Sequence, residues 1–224
     1  SLACLTILPA IFLTFFKNLD KSEENRSFQG RSYKEFISQP RFLQAIVATA
    51  FAYAIMAFLM TATPISMHIN DKFSLGETKI VIQWHVVGMF LPSLITGRLV
   101  QKYGHSMIMY FGVIFFLVCF LVSHLDQTFL NYIIALIFLG VGWNFLFISG
   151  TSLLVITYRS EEKYKAQAYN DFTVFSTQAV AALLAGYFLN ITSWQTINLI
   201  CLPFLAIIVL TIWRAGRIET LKKI

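Results

Sequence analysis

The chain has 224 residues, of which 57% are hydrophobic, 16% aromatic and 12% charged, with a net charge of +6. Soluble domains carry about 25% charged residues, so this sequence cannot cover an apolar core with a polar surface. A single soluble domain, a disulfide-stapled extracellular scaffold and a disordered tail are excluded.

The apolar residues fall into seven blocks, at 1–16, 42–66, 80–100, 106–123, 129–157, 166–189 and 194–213. Blocks of this length make the chain an integral membrane protein. The first opens at Ser1 without a basic leader and is short for a hydrocarbon core of about 20 residues. It is expected to be the end of a truncated helix. Residues 17–41 form the long connection, in which Tyr33, Phe36 and Ile37 recur at i, i+3, i+4 beside Lys34 and Glu35, closed by Pro40. That spacing predicts a short helix on the membrane surface. Residues 42–213 then hold six spans, and 214–224 form a tail.

Lysine and arginine fall on alternate sides of these spans. Fifteen lie in 17–41, in the turns after the third and fifth blocks and in the tail, against Lys72 and Lys79 on the other side. The bias orients the basic side, with the C-terminus, toward the cytoplasm. The positive charge is therefore read as an orientation signal, and no nucleic acid is expected as a partner. Cys4, Cys119 and Cys201 lie inside apolar runs without paired spacing, so neither a disulfide set nor a metal site is expected.

Polar residues separate the spans into two groups. Blocks 106–123 and 194–213 carry few and are expected at the periphery. The other complete blocks carry polar residues that are costly against lipid, which suits either a cavity lining or helix packing. In 42–66, Thr49, Tyr53, Met56, Met60 and Thr63 share one helical face. Block 129–157 carries Asn144, Thr151, Gly140, Gly142 and Gly150, and Ala182 and Gly186 form a small-xxx-small pair.

From these residues come the candidates for function. Asn144, Tyr53 and Thr151 fit a substrate contact or a bond to a neighbouring helix equally well. His85 fits a ligand or proton relay, or a hydrogen-bonded packing histidine, the simpler role. Trp84 fits stacking on a planar ligand or an interfacial aromatic belt. Asp171 is the carboxylate carried furthest into a span. It fits proton coupling or, more simply, a structural role, either helix-terminus electrostatics or a pairing to Arg159 or Lys163. No catalytic constellation, metal site or cofactor motif is present in the sequence, so no enzyme activity is expected.

The alternation of long loop, inner and outer spans resembles the C-terminal half of a bacterial major facilitator superfamily transporter, preceded by the end of its sixth helix. The resemblance rests on Gly97-Arg98-Leu99-Val100-Gln101-Lys102-Tyr103-Gly104-His105-Ser106, similar to the superfamily loop G-x-x-x-D-[RK]-x-G-[RK]-[RK]. Gly97, Lys102 and Gly104 match it, while Gln101 replaces the acidic residue. The strings Met60-Thr61-Ala62-Thr63-Pro64, Gln83 to Phe90, Gly142 to Phe147 and Lys165 to Phe172 look like one bacterial subgroup, some of whose members are linked to riboflavin uptake.

The resemblance implies an all-α polytopic membrane bundle, a six-helix half of the major-facilitator fold preceded by one truncated helix. It also implies alternating-access transport of a small organic solute across the bacterial inner membrane. Gly97, Lys102 and Gly104 would form a gating loop. The expected partners are the missing N-terminal half, membrane lipid and the solute. A seven-helix receptor or sensor is the alternative.

Overall fold

A computed structural model of the protein describes residues 30–221; the truncated helix expected at 1–16 lies outside the described residues. Several helices begin where the sequence supplies a cap or a proline. Ser32 and Glu35 form a reciprocal capping box for α1, Tyr33–Ser38, and Pro40 takes the first position of α2, Pro40–Pro64. Helix α2 runs on as a π-helical turn, Ile65–Asn70. Ser74 and Glu77 form a second capping box and start α3, Leu75–Phe90. Such boxes satisfy backbone N–H groups that have no partner within the helix.

Helix α3 breaks at Leu91-Pro92 and resumes as α4, Ser93–Tyr103. Gly104, at φ 84°, turns the chain directly into α5, His105–Ser123. That backbone angle is open to glycine at little cost. Thr128 caps the 27-residue α6, Phe129–Val155. A short 3₁₀ turn, Ser160–Glu162, leads to the 29-residue α7, Lys163–Ile191, followed by α8, Trp194–Ile200, and α9, Leu202–Leu221.

Among the described residues, six stretches are long and apolar enough to cross a membrane: Pro40–Asn70, Leu75–Tyr103, His105–Val122, Phe129–Val155, Ser160–Ile191 and Trp194–Ile218. They run alternately up and down, so the described basic residues gather at one end and only Lys72 and Lys79 lie at the other. Contacts within each end confirm the alternation. Arg41 bonds Ser106 at the basic end, and the Tyr132 hydroxyl donates to Asp71 at the opposite end.

Helices α2 and α6 form the centre, with α7 and α9 against α2, and α3 and α5 against α6. In the most apolar stretch of each span, 72% of residues are buried in α2 and 61% in α6, but 22% in α3–α4 and 17% in α7. Burial within the chain thus separates a central pair, α2 and α6, from the spans around it. Helices α5 and α9 each cover one face of the central pair. The least buried spans are α3–α4 and α7, two of those whose polar content marked them as inner. Their polar and aromatic side chains stand on outward faces: Gln83 and Trp84 on α3, Asp171 and Phe172 on α7.

Candidate functional site

Three glycines of α6 set the geometry around it. A Cβ on Gly140 would lie 2.6 Å from the His85 carbonyl oxygen of α3, and one on Gly142 would lie 2.9 Å from the Gly112 carbonyl oxygen of α5. On Gly150 it would lie 2.5 Å from the Thr49 methyl of α2. Each neighbour thus approaches the α6 backbone where no side chain intervenes, which is how small residues bring membrane helices together. The expected small-residue contact at Ala182 and Gly186 is corrected: a Cβ on Gly186 would meet only Ile65 Cδ1, at 4.0 Å.

Asn144 is fully buried and spends its amide on the α3–α4 break. Its Nδ2 donates to the Met89 carbonyl at 2.7 Å and to Ser93 Oγ at 2.6 Å, and its Oδ1 accepts from Thr96 Oγ1 at 2.7 Å. Pro92 has no N–H, and a helix interrupted inside a membrane needs its freed backbone groups satisfied by neighbours. Of its two readings, the bond to a neighbouring helix is the one these contacts realise. His85 follows suit. It is fully buried, and its Nδ1–H donates to the Leu136 carbonyl at 2.8 Å, tying α3 to α6. Thr151 turns its hydroxyl back onto the Phe147 and Ile148 carbonyls of its own helix, at 2.9 and 3.2 Å.

Asp171 stands eight residues into α7, about 12 Å from its start at 1.5 Å per residue, because α7 begins at Lys163 rather than 166. Macrodipole effects fade within the first turn, so the helix-terminus role does not apply. No ion pair joins Asp171 to Arg159 or Lys163 among the described residues. It is exposed and accepts from Asn170 Nδ2 at 3.1 Å, while Asn170 Oδ1 accepts from Thr49 Oγ1 at 3.0 Å. The carboxylate is linked through one amide to the central helix and otherwise faces outward.

The residues expected to form a gating loop lie in α4 and the turn that follows it. Gly97 has open space beside it, Gly104 forms the α4–α5 turn, and Lys102 lies with Nζ 5.0 Å from the centroid of the Tyr103 ring. No cluster of three or more His, Cys, Asp or Glu able to hold a metal occurs among the described residues.

What the structure brings together is aromatic. Tyr53 of α2 meets Trp143 and Phe147 of α6 edge to face, both at 5.4 Å between ring centroids, and Phe175 of α7 at 6.3 Å. Trp143 stacks on Phe147 at 4.8 Å with planes 11° apart, and Phe90 of α3 approaches Trp143 at 6.4 Å. All five rings sit near the middle of their spans. Trp143 is 6% exposed with no partner for its indole N–H, while Phe90 and Phe175 are 60% and 58% exposed. The wall is thus buried at the back, with exposed rings on its α3 and α7 sides. Trp84, 49% exposed, lies outside it on the outward face of α3.

Of the sequence candidates, only Tyr53 belongs to this wall. The others were missed because phenylalanine fills 22 positions and periodicity cannot show which of them meet. The one available signal was the Gly142-Trp143-Asn144-Phe145-Leu146-Phe147 string, which puts two ring residues four apart on the crowded central helix.

A bundle of apolar helices alternating in direction, joined by basic turns and broken at mid-depth, is the architecture of a membrane transporter half. The Major Facilitator Superfamily model matches residues 45–223, and the chain belongs to that family. It is 35% identical over 204 residues to the riboflavin transporter RfnT of Brucella anthropi, covering 91% of this chain and 51% of that protein. It is 28% identical over 214 residues to the MFS-type transporter YddS of Bacillus subtilis, covering 94% of this chain and 49% of that protein. The chain thus spans about half the length of these relatives.

Proposed function

We propose that this chain is the C-terminal half of a secondary transporter that moves a riboflavin-like solute by alternating access. The supporting observation is the aromatic wall at mid-depth, with exposed rings on its α3 and α7 sides, in a chain 35% identical to a riboflavin transporter. A flavin ring is flat and conjugated, which suits stacking beside Tyr53, Trp143 and Phe147. Family membership favours transport over the receptor alternative and over catalysis.

A preceding six-helix half would cover the exposed faces of α3 and α7 and close the site, and rocking of the two halves would expose it to each side in turn. The basic end would face the cytoplasm of a bacterial inner membrane, following the positive-inside rule. In this arrangement 17–41 links the halves. Asp171, on the face turned toward the other half, is the coupling candidate in this one: a carboxylate there can be protonated on one side and released on the other. Asn144, His85 and Thr151 act behind the wall, and Trp84 meets lipid or the partner half.

Uptake of radiolabelled riboflavin by bacteria expressing the full-length protein tests the reading. Saturable uptake that collapses with a proton uncoupler is expected. Uptake equal to that of empty-vector cells contradicts the substrate, and uptake indifferent to the uncoupler contradicts the coupling.

A further inference from the structure

Arg31 lies nine residues ahead of α2, yet its side chain and backbone are committed to the far end of α6 and the start of α7. Its amide N–H and its Nε donate to Glu162 Oε1 at 3.1 and 2.8 Å, its Nη2 bonds Glu162 Oε2, and that same Nη2 donates to the Thr157 carbonyl at 3.1 Å. Glu162 is 2% exposed and also accepts from the Arg159 N–H, so one carboxylate closes the α6–α7 turn and holds Arg31. Lys165 Nζ donates to the Arg31 carbonyl at 2.6 Å and lies 4.9 Å from the Tyr33 ring centroid.

Apolar contacts continue the join. The Arg31 guanidinium stands 4.8 Å over the Phe36 ring, Phe36 packs on Phe42 at 4.9 Å, and Tyr33 meets Tyr169 of α7 at 5.5 Å. A two-pronged guanidinium–carboxylate bond is directional and among the stronger polar contacts. Here it is sheltered on the carboxylate side, and the Phe36 ring lies against the guanidinium. So many simultaneous bonds, two of them to the backbone of Arg31, suit a contact that is kept rather than one broken in every cycle.

We propose that Arg31 and Glu162 are positioning residues of a permanent brace, which binds the segment ahead of α2 to the α6–α7 turn so that the basic ends of α2, α6 and α7 move as one body. Its existence rests on these contacts alone; its consequence for transport rests on the reading given above. Through the brace, displacement of Arg31 is carried directly into the start of α7.

Hydrogen–deuterium exchange on the full-length protein in nanodiscs tests it, with riboflavin uptake measured in parallel. In Glu162→Gln, exchange of residues 32–38 and of 157–162 is expected to rise together, by about tenfold or more, while the turn at 124–128 at the opposite end stays unchanged. Arg31→Lys keeps a charge without the fork and gives a smaller joint rise; it serves also if Glu162→Gln does not fold. Maximal uptake rate falls severalfold in Glu162→Gln with KM unchanged.

Exchange that rises in only one segment, or in neither, overturns the brace, and wild-type uptake by Glu162→Gln overturns its consequence for transport. Loss of protection at 157–162 when riboflavin is added to the wild type would make the contact a switch and overturn its permanence. If the wild type takes up no riboflavin, the substrate reading fails, and the exchange result alone decides the brace.

Discussion

Helix α3 meets α6 and helix α7 meets α2 in contacts of opposite character. At α3–α6 the backbones nearly touch: a Cβ on Gly88 would lie 2.8 Å from the Ile137 carbonyl oxygen, Gly140 answers it from the other side, and His85 and Asn144 add hydrogen bonds across the join. At α2–α7 the Thr49–Asn170 bond is followed by a long one, from Thr177 Oγ1 to the Ala50 carbonyl at 3.4 Å. Beyond it, α7 and α9 leave an apolar groove of about 450 Å³ over α2, lined by Phe58, Val180, Leu184, Phe188 and Phe204. Close-packed surfaces resist sliding, whereas a gap removes the contacts that oppose it. The broken helix α3 is therefore held backbone to backbone against α6, whereas α7 meets α2 through side chains and leaves part of its face uncovered.

The largest effect expected from this contrast is at Gly140. Gly140→Val drives side-chain atoms into backbone atoms of α3, where overpacking costs more than about 3 kcal/mol. Detergent-purified full-length protein should lose its folded, monodisperse form. Gly186→Ala at the loose contact should shift the unfolding temperature by no more than a degree or two, and equal damage at both sites would dissolve the comparison.

Next comes Asn144→Ala. It leaves the Met89 carbonyl unsatisfied beside the Pro92 break, at a cost of about 1–3 kcal/mol. Thermal unfolding should register this loss together with reduced uptake, whereas Thr177→Val at the α2–α7 contact should cost about 0.6 kcal/mol, the average for membrane hydrogen bonds. Smaller again is Phe147→Leu. It should leave stability within about 1 kcal/mol but weaken riboflavin binding several-fold, by the roughly 0.5–1.5 kcal/mol of a lost ring contact, as read by equilibrium dialysis. Unchanged binding would remove Phe147 from the wall. Gly97→Ala, with open space around it, should change neither stability nor uptake.

The sequence made the membrane helices legible because apolar blocks and basic turns are one-dimensional features. Even there, α7 starts three residues earlier than its apolar block, since the capping turn around Glu162 is made of charged residues that hydropathy excludes. That shift puts Asp171 eight rather than five residues into the helix. The glycines of α6 stood out as a group, but which neighbour each one admits depends on helix order in space. Asn144 was visible as a costly amide, and its partner was not: a proline break 52 residues earlier becomes its neighbour only after folding. Tyr53 was found through its polar hydroxyl, and the rings around it carried no such mark.

The claim at the centre is that Trp143, Tyr53 and Phe147 form the wall on which a flat solute rests. Its most direct test is tryptophan fluorescence of the purified full-length protein during riboflavin titration, compared with the Trp143→Phe variant. A saturable quench that shrinks in Trp143→Phe, with affinity reduced, is the predicted result. A quench of the same size and midpoint in both proteins, while both still take up riboflavin, would place the solute elsewhere and contradict the account.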